Sequence, residues 1–240
     1  MNKLKALITR NLKEIIRDPL SSVFCIGFPV IMLVLMQLLF GQMKGVPDMF
    51  NIGQFAPGIC VFGYTFSMLF VAMIITHDNN TQFVNRLNIA PIKKTTYIFS
   101  YVLAILPIIL VQTILFFAIA LIFGLTLNSN TLLSVPCLLL SGIMFVMIGV
   151  LLGFVTKSEK HIGPICSIII SLSAMLGGIF MPVQNMGAFS SIANALPFLH
   201  SVQLGAAALN GENLLVHLLV VVGYTLLFAL LAYLLLKRKK

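Results

Sequence analysis

Residues Leu132–Val155 read LLSVPCLLLSGIMFVMIGVLLGFV, 24 positions without Asp, Glu, Lys, Arg or His. A helix of about 20 apolar residues crosses a hydrocarbon core of about 30 Å. A membrane-spanning strand would need only about 10 residues and would alternate apolar with polar. The run is too long and too uniform for a strand. Val23–Phe40, Ala56–Thr76, Tyr97–Gly124, Ile162–Met181 and Leu214–Leu236 read the same way, none with Asp, Glu, Lys or Arg. The expected fold is an all-α integral membrane protein, with six transmembrane helices in a single domain over residues 1–240.

Composition excludes the other classes. Of 240 residues, 60% are hydrophobic and 9% charged, with a mean hydropathy of +1.08. A soluble domain carries about 45–50% apolar and about 25% charged residues, and disorder needs low hydrophobicity with high charge. Neither describes this chain. Fourteen of its 15 Lys and Arg residues fall in alternate segments: before the first span, between the second and third (Arg86, Lys93, Lys94), between the fourth and fifth (Lys157, Lys160), and in the tail. The opposite loops hold only Lys44. Cytoplasmic loops carry the positive excess, so both termini are expected in the cytoplasm and the protein in the cytoplasmic membrane. The net charge of +9 is therefore a topology signal with some attraction to anionic membrane lipids. Nucleic acid is not an expected partner.

Before the first span, Leu4, Leu7, Ile8, Leu12, Ile15 and Ile16 recur at helical spacing, and Lys3, Lys5, Arg10, Lys13, Glu14 and Arg17 fill much of the other face. This predicts an amphipathic interfacial helix over residues 1–19, ending near Asp18-Pro19. The apolar run begins only at Val23, so the first span reads as retained rather than as a cleaved signal.

Chemistry is sparse. Cys25, Cys60, Cys137 and Cys166 lie in predicted spans with no paired spacing, and His77, His161, His200 and His217 are scattered. No metal site is expected. His217, near the outer end of the last span, is the nearest to an intramembrane ionisable group, which argues against a proton-coupled pump. The chain has no GxxxxGK[ST] loop to cradle nucleotide phosphates and no acid/base constellation. It reads as neither an enzyme nor a cofactor binder, and uphill transport would draw on another polypeptide.

Small residues mark helix faces. Gly142, Gly149 and Gly153 share a face of the fourth span, and Gly163, Ser167 and Ser171 repeat every four residues in the fifth. Such faces pack closely within one chain, or the serines line a path or a subunit contact. The cytoplasmic loop 77–94, HDNNTQFVNRLNIAPIKK, puts Phe83, Val84 and Leu87 on one helical face with Pro91 as a stop. It suits a handle for a soluble partner. The outer segment 182–213 has Glu212 as its only Asp, Glu, Lys or Arg and many large apolar residues. It is expected to form short helices that dip back into the outer leaflet.

Taken in order, these features resemble the permease subunit of ABC-2 type transporters. The basic amphipathic helix resembles the family's connecting helix, and Phe55-Ala56-Pro57-Gly58 opens the second span where the family has a Pro-Gly pair. Asp78 to Pro91 resembles its coupling helix, with Asn79 and Asn80 replacing a charged pair and Gln82 replacing Gly. Gly177-Gly178-Ile179-Phe180-Met181-Pro182 and Ile192-Ala193-Asn194-Ala195-Leu196-Pro197 resemble its outer elements. The resemblance implies a half-transporter. Two permeases, identical or related, would sit on two cytoplasmic P-loop ATPase subunits that carry Mg-ATP. Asp78, Phe83, Arg86, Leu87 and Pro91 would couple to the ATPase. A path between the first, second and fifth spans would be lined by Gln37, Tyr64, Ser67, Ser167 and Ser171. Its apolar character implies export of a hydrophobic or amphipathic, drug- or antibiotic-like cargo. The alternatives are a lipid-linked polysaccharide such as O-antigen or teichoic acid, a passive channel or secondary carrier, and a non-transporting assembly or immunity protein.

Overall fold

A computed structural model describes residues 3–18, 23–40, 50–81 and 93–238, and its regular structure there is helical. Helix α1 spans Lys3–Arg17 and buries Leu7, Asn11 and Ile15, a four-residue repeat that puts all three on one face. The first span opens as a π-helical turn over Val23–Gly27 and continues as α2, Phe28–Phe40. Pro29 has no N–H to donate backward and its ring crowds the preceding turn. A widened π turn in front of it relieves that conflict.

Helix α3 runs Ile52–Asn80, α4 Lys94–Ile122, α5 Ser129–Val155 and α6 Glu159–Leu176. A 3-10 turn at Val183–Met186 leads to α7, Phe189–Ala195, and α8, Pro197–Asn210, followed by α9, Leu215–Arg238. Among the described residues five helices are long and apolar enough to cross a bilayer: Val23–Phe40, Ile52–Asn80, Thr95–Ile122, Ser129–Val155 and Leu215–Lys237. The protein is a multi-pass membrane protein.

The expected fifth span is the one that differs. Its helix stops at Leu176 rather than reaching Met181, because Gly177 caps it and Gly178 takes φ +70°, a backbone region that glycine enters at little cost. At 18 residues, with Glu159, Lys160 and His161 in its first turn, α6 is the least apolar of the expected set. The segment after α6 turns back through α7 and α8, which meet at 72°.

Helix α3 is the centre of the bundle. Of its most apolar 18-residue window 83% is buried, against 22% for the first span and 11% for α9. The rim helices turn residues such as Leu38, Leu219 and Leu226 outward. In a bilayer those leucines meet lipid tails as apolar as themselves, so close packing decides helix association there. The closest approach is α3 against α5. A Cβ at Gly149 would stand 2.4 Å from the Met68 carbonyl oxygen, and one at Gly153 would stand 2.6 Å from Ile75 Cβ. The glycine stripe of the fourth span is therefore a packing face within the chain.

Gln112 of α4 is the exception in this core. Its Nε2 and Oε1 are both buried without a hydrogen-bond partner among the described residues, and the amide is pressed against Gly63. An unpaired buried amide costs about 1–3 kcal/mol. Gln112→Leu is accordingly expected to raise the thermal unfolding midpoint of the detergent-solubilised protein. A lowered midpoint would show that the amide has found partners this packing lacks.

Candidate functional site

The ends of α1, α3, α4, α5 and α6 meet at one end of the bundle, around Asp78. Helix α3 continues one turn past Thr76 and carries Asp78 into the contact with α1, where the carboxylate is 0% exposed. Arg10 Nη1 donates to Asp78 Oδ2 at 2.5 Å and Nη2 to Oδ1 at 2.6 Å. This fork-to-fork pairing fixes orientation as well as distance. Tyr101 of α4 donates its phenol proton to Asp78 Oδ2 at 2.5 Å. Tyr97 Oη lies 2.8 Å from Tyr101 Oη. Because Tyr101 has already spent its one proton, Tyr97 supplies the proton of that contact.

Helix α1 is held by further contacts. Arg10 also reaches Asn11 Oδ1 at 3.0 Å and Glu14 at 2.7 Å. Asn11 Nδ2 donates to Ser100 Oγ at 3.2 Å. Burial alone would lower the pKa of Arg10, but the hydrogen bond and charge of Asp78 outweigh it and raise the value above the ordinary one. Next to this cluster Asn79 Nδ2 donates to the Gly153 carbonyl at 2.9 Å, tying α3 to the end of α5. His77 Nδ1 lies 3.1 Å from Glu159 Oε1 of α6. Both side chains of that last pair are 53% exposed, so it contributes little.

Chemically the cluster is a fastener. Both Asp78 oxygens are engaged by donors, which leaves the carboxylate no free role as a base or ligand. Among the described residues no three His, Cys, Asp or Glu side chains converge as metal ligands. What the arrangement can do is mechanical: a displacement of α1 is passed through a buried ion pair to the ends of α3 and α4.

The sequence-predicted residues divide three ways. Asp78 was expected to face a soluble partner, but its burial makes it an anchor for α1. Phe83, Arg86, Leu87 and Pro91 lie outside the described residues. Of the expected path residues, Tyr64 and Ser67 are 0% exposed and Gln37 is 6% exposed. Tyr64 Oη lies 2.6 Å from Thr113 Oγ1, Ser67 Oγ lies 3.8 Å from Cys25 Sγ, and Gln37 Nε2 donates to the Phe50 carbonyl at 3.0 Å. All three groups are engaged by partners within the same chain. Ser167 and Ser171 stay on the exposed face of α6. Sequence reading did not single out Asn11, Tyr97 and Tyr101 for this cluster, and it took Arg10 as one more surface charge. The available signal was a polar Asn11 midway between Leu7 and Ile15 in the buried repeat.

A model of the ABC-2 type transporter family matches residues 2–210. No curated protein matches the chain.

Proposed function

The chain belongs to the ABC-2 type transporter family, as a membrane permease component, and from that premise we propose that it is half of an ATP-driven exporter for hydrophobic or amphipathic compounds. Its partner ATPase binds Mg-ATP, two ATPase subunits serve two permeases, and both termini lie in the cytoplasm. The observation that carries the reading is the buried Arg10–Asp78 pair. It joins the amphipathic helix, the element best placed to touch a cytoplasmic subunit, to the central helix of the bundle. The segment 82–92 follows the same helix directly, so an ATPase pressing on α1 and on that segment would act on α3 at two points. ATP binding then favours one arrangement of the permease pair and hydrolysis releases it.

The cargo class is supported by the surface of the first and second spans. Phe24 and Phe28 are 39% and 36% exposed. They join Phe66, Phe62 and Phe180 in a run of ring contacts with centroids 5.3 to 6.4 Å apart. This run, with the exposed Ser167 and Ser171 on α6, suits an apolar body carrying few hydrogen-bonding groups. Arg86→Glu and Leu87→Asp are expected to abolish ATP-driven export from inverted vesicles while insertion and pairing persist. Export at the unmodified rate by both variants would remove the coupling role of the 82–92 segment.

A further inference from the structure

At the end of the bundle opposite Asp78, helices α7 and α8 form an elbow around Leu196, and α9 holds it at two points. Tyr224 Oη donates to the Ala195 carbonyl at 2.8 Å. His200 of α8 faces His217 of α9 with Nδ1 to Nδ1 at 2.9 Å, and His200 Nε2 lies 2.9 Å from the Asn194 carbonyl oxygen. That carbonyl fixes the protons. A carbonyl only accepts, so His200 Nε2 carries a hydrogen and neutral His200 offers a lone pair at Nδ1. The proton between the rings therefore belongs to His217 Nδ1, and His217 Nε2 is left as an unprotonated nitrogen on a half-buried ring.

A first added proton goes to His217 Nε2 and leaves both hydrogen bonds in place. A second can go only to His200 Nδ1, where it would set two N–H groups head to head at 2.9 Å and two positive rings side by side. The hydrogen bond between the two rings therefore survives one added proton but not two. Little else modulates it among the described residues. The elements packed against α8 are α3, α5, α6, α7 and α9. Helices α5 and α7 have no Asp, Glu, Lys, Arg or His. The charged and histidine side chains of α3 and α6, and Lys237 of α9, sit toward the far end of the bundle. Glu212, between α8 and α9, is the one acidic group nearby.

We propose that His200 and His217 form a proton-binding site whose double protonation detaches the α7–α8 elbow from α9. This goes beyond the transport reading and does not depend on the cargo. Acid on that face would loosen the elbow, while near-neutral pH would keep it latched.

The test uses the full chain in lipid nanodiscs, with hydrogen exchange followed between about pH 8 and about pH 4, a range that extends below ordinary histidine titration because the second proton joins a ring beside an existing positive charge. After correction for intrinsic exchange, amides of residues 192–197, at the elbow that the latch holds, are expected in the unmodified protein to exchange about tenfold faster at the acid end, as a locally opened segment does. His217→Gln should stay protected throughout, because a carboxamide can turn either its N–H or its oxygen toward His200. Protection unchanged with pH in the unmodified protein, or an equal loss in the variant, would overturn the proposal. Should the variant not fold, nitrogen-15 histidine spectra of the unmodified chain at about pH 8 decide. The proposal requires Nε2–H on His200 and Nδ1–H on His217, and Nε2–H on both rings refutes it.

Discussion

Arg10→Met is expected to unseat α1 and to abolish ATP-driven transport. The substitution leaves the Asp78 carboxylate at 0% exposure with Tyr101 as its remaining strong donor. Removing one partner of a buried ion pair costs about 3–5 kcal/mol. The Arg10 side chain is 32% exposed, so water can approach from that flank and the lower end of the range applies. A fall in the thermal unfolding midpoint and faster proteolysis within residues 3–17 would report the loss. The double variant Arg10→Met/Asp78→Leu separates stability from coupling. With both charges gone no carboxylate is stranded, and apolar replacements of buried pairs are often neutral or stabilising. Stability should largely return while transport does not, because the fork that passes motion from α1 to α3 is still missing. Transport restored along with stability would show that α1 needs only to be seated, with no ion pair to transmit force.

The second large effect belongs to the glycine face of α5. Gly149→Ala places a methyl 2.4 Å from the Met68 carbonyl oxygen, which is backbone and has no rotamer to escape into. Gly153→Ala meets Ile75 Cβ at 2.6 Å and the Ala72 carbonyl at 3.0 Å. Overpacking of a well-fitted core costs about 1–3 kcal/mol, and Gly149 should sit at the top of that range because α3 and α5 must part. Gly163→Ala supplies the contrast. Nothing lies within 4 Å of a Cβ there, and alanine exceeds glycine in helix propensity by about 1 kcal/mol. Thermal unfolding of the three variants should give two strongly lowered midpoints and one unchanged or raised. Equal midpoints would mean the α3–α5 crossing is looser than described.

Much of the fold was legible because a bilayer leaves so few solutions. Backbone groups must be paired inside each spanning element, so long runs such as Leu132–Val155 could only be helices. Charge asymmetry marked which loops share a side, and the structure gathers the ends of α1, α3, α4, α5 and α6 around Asp78 accordingly. The end of α6 was harder to read, because Ile179-Phe180-Met181 is apolar enough to extend a span and only the Gly177-Gly178 pair argues for a stop. The site was less legible for a related reason. Hydropathy says that Tyr64 and Ser67 lie within the membrane but not which way they point, and both turn inward to bond neighbouring helices. Asp78 carried the opposite ambiguity, since a carboxylate at a span end reads as solvated until Arg10 is found 68 residues earlier in the chain and forked onto it. Pairings across such a separation leave no periodic trace. The His200–His217 contact has the same character, two positions brought together where the chain reverses from α8 into α9 at Gly211.

The measurement closest to the central claim is affinity purification of the tagged chain in mild detergent, with mass identification of its companions and an ATP hydrolysis assay on the complex. The permease reading predicts a P-loop ATPase in the preparation, and complexes of Arg10→Met and Leu87→Asp in which hydrolysis no longer drives transport. A stable, well-folded preparation that reproducibly contains no ATPase would contradict it.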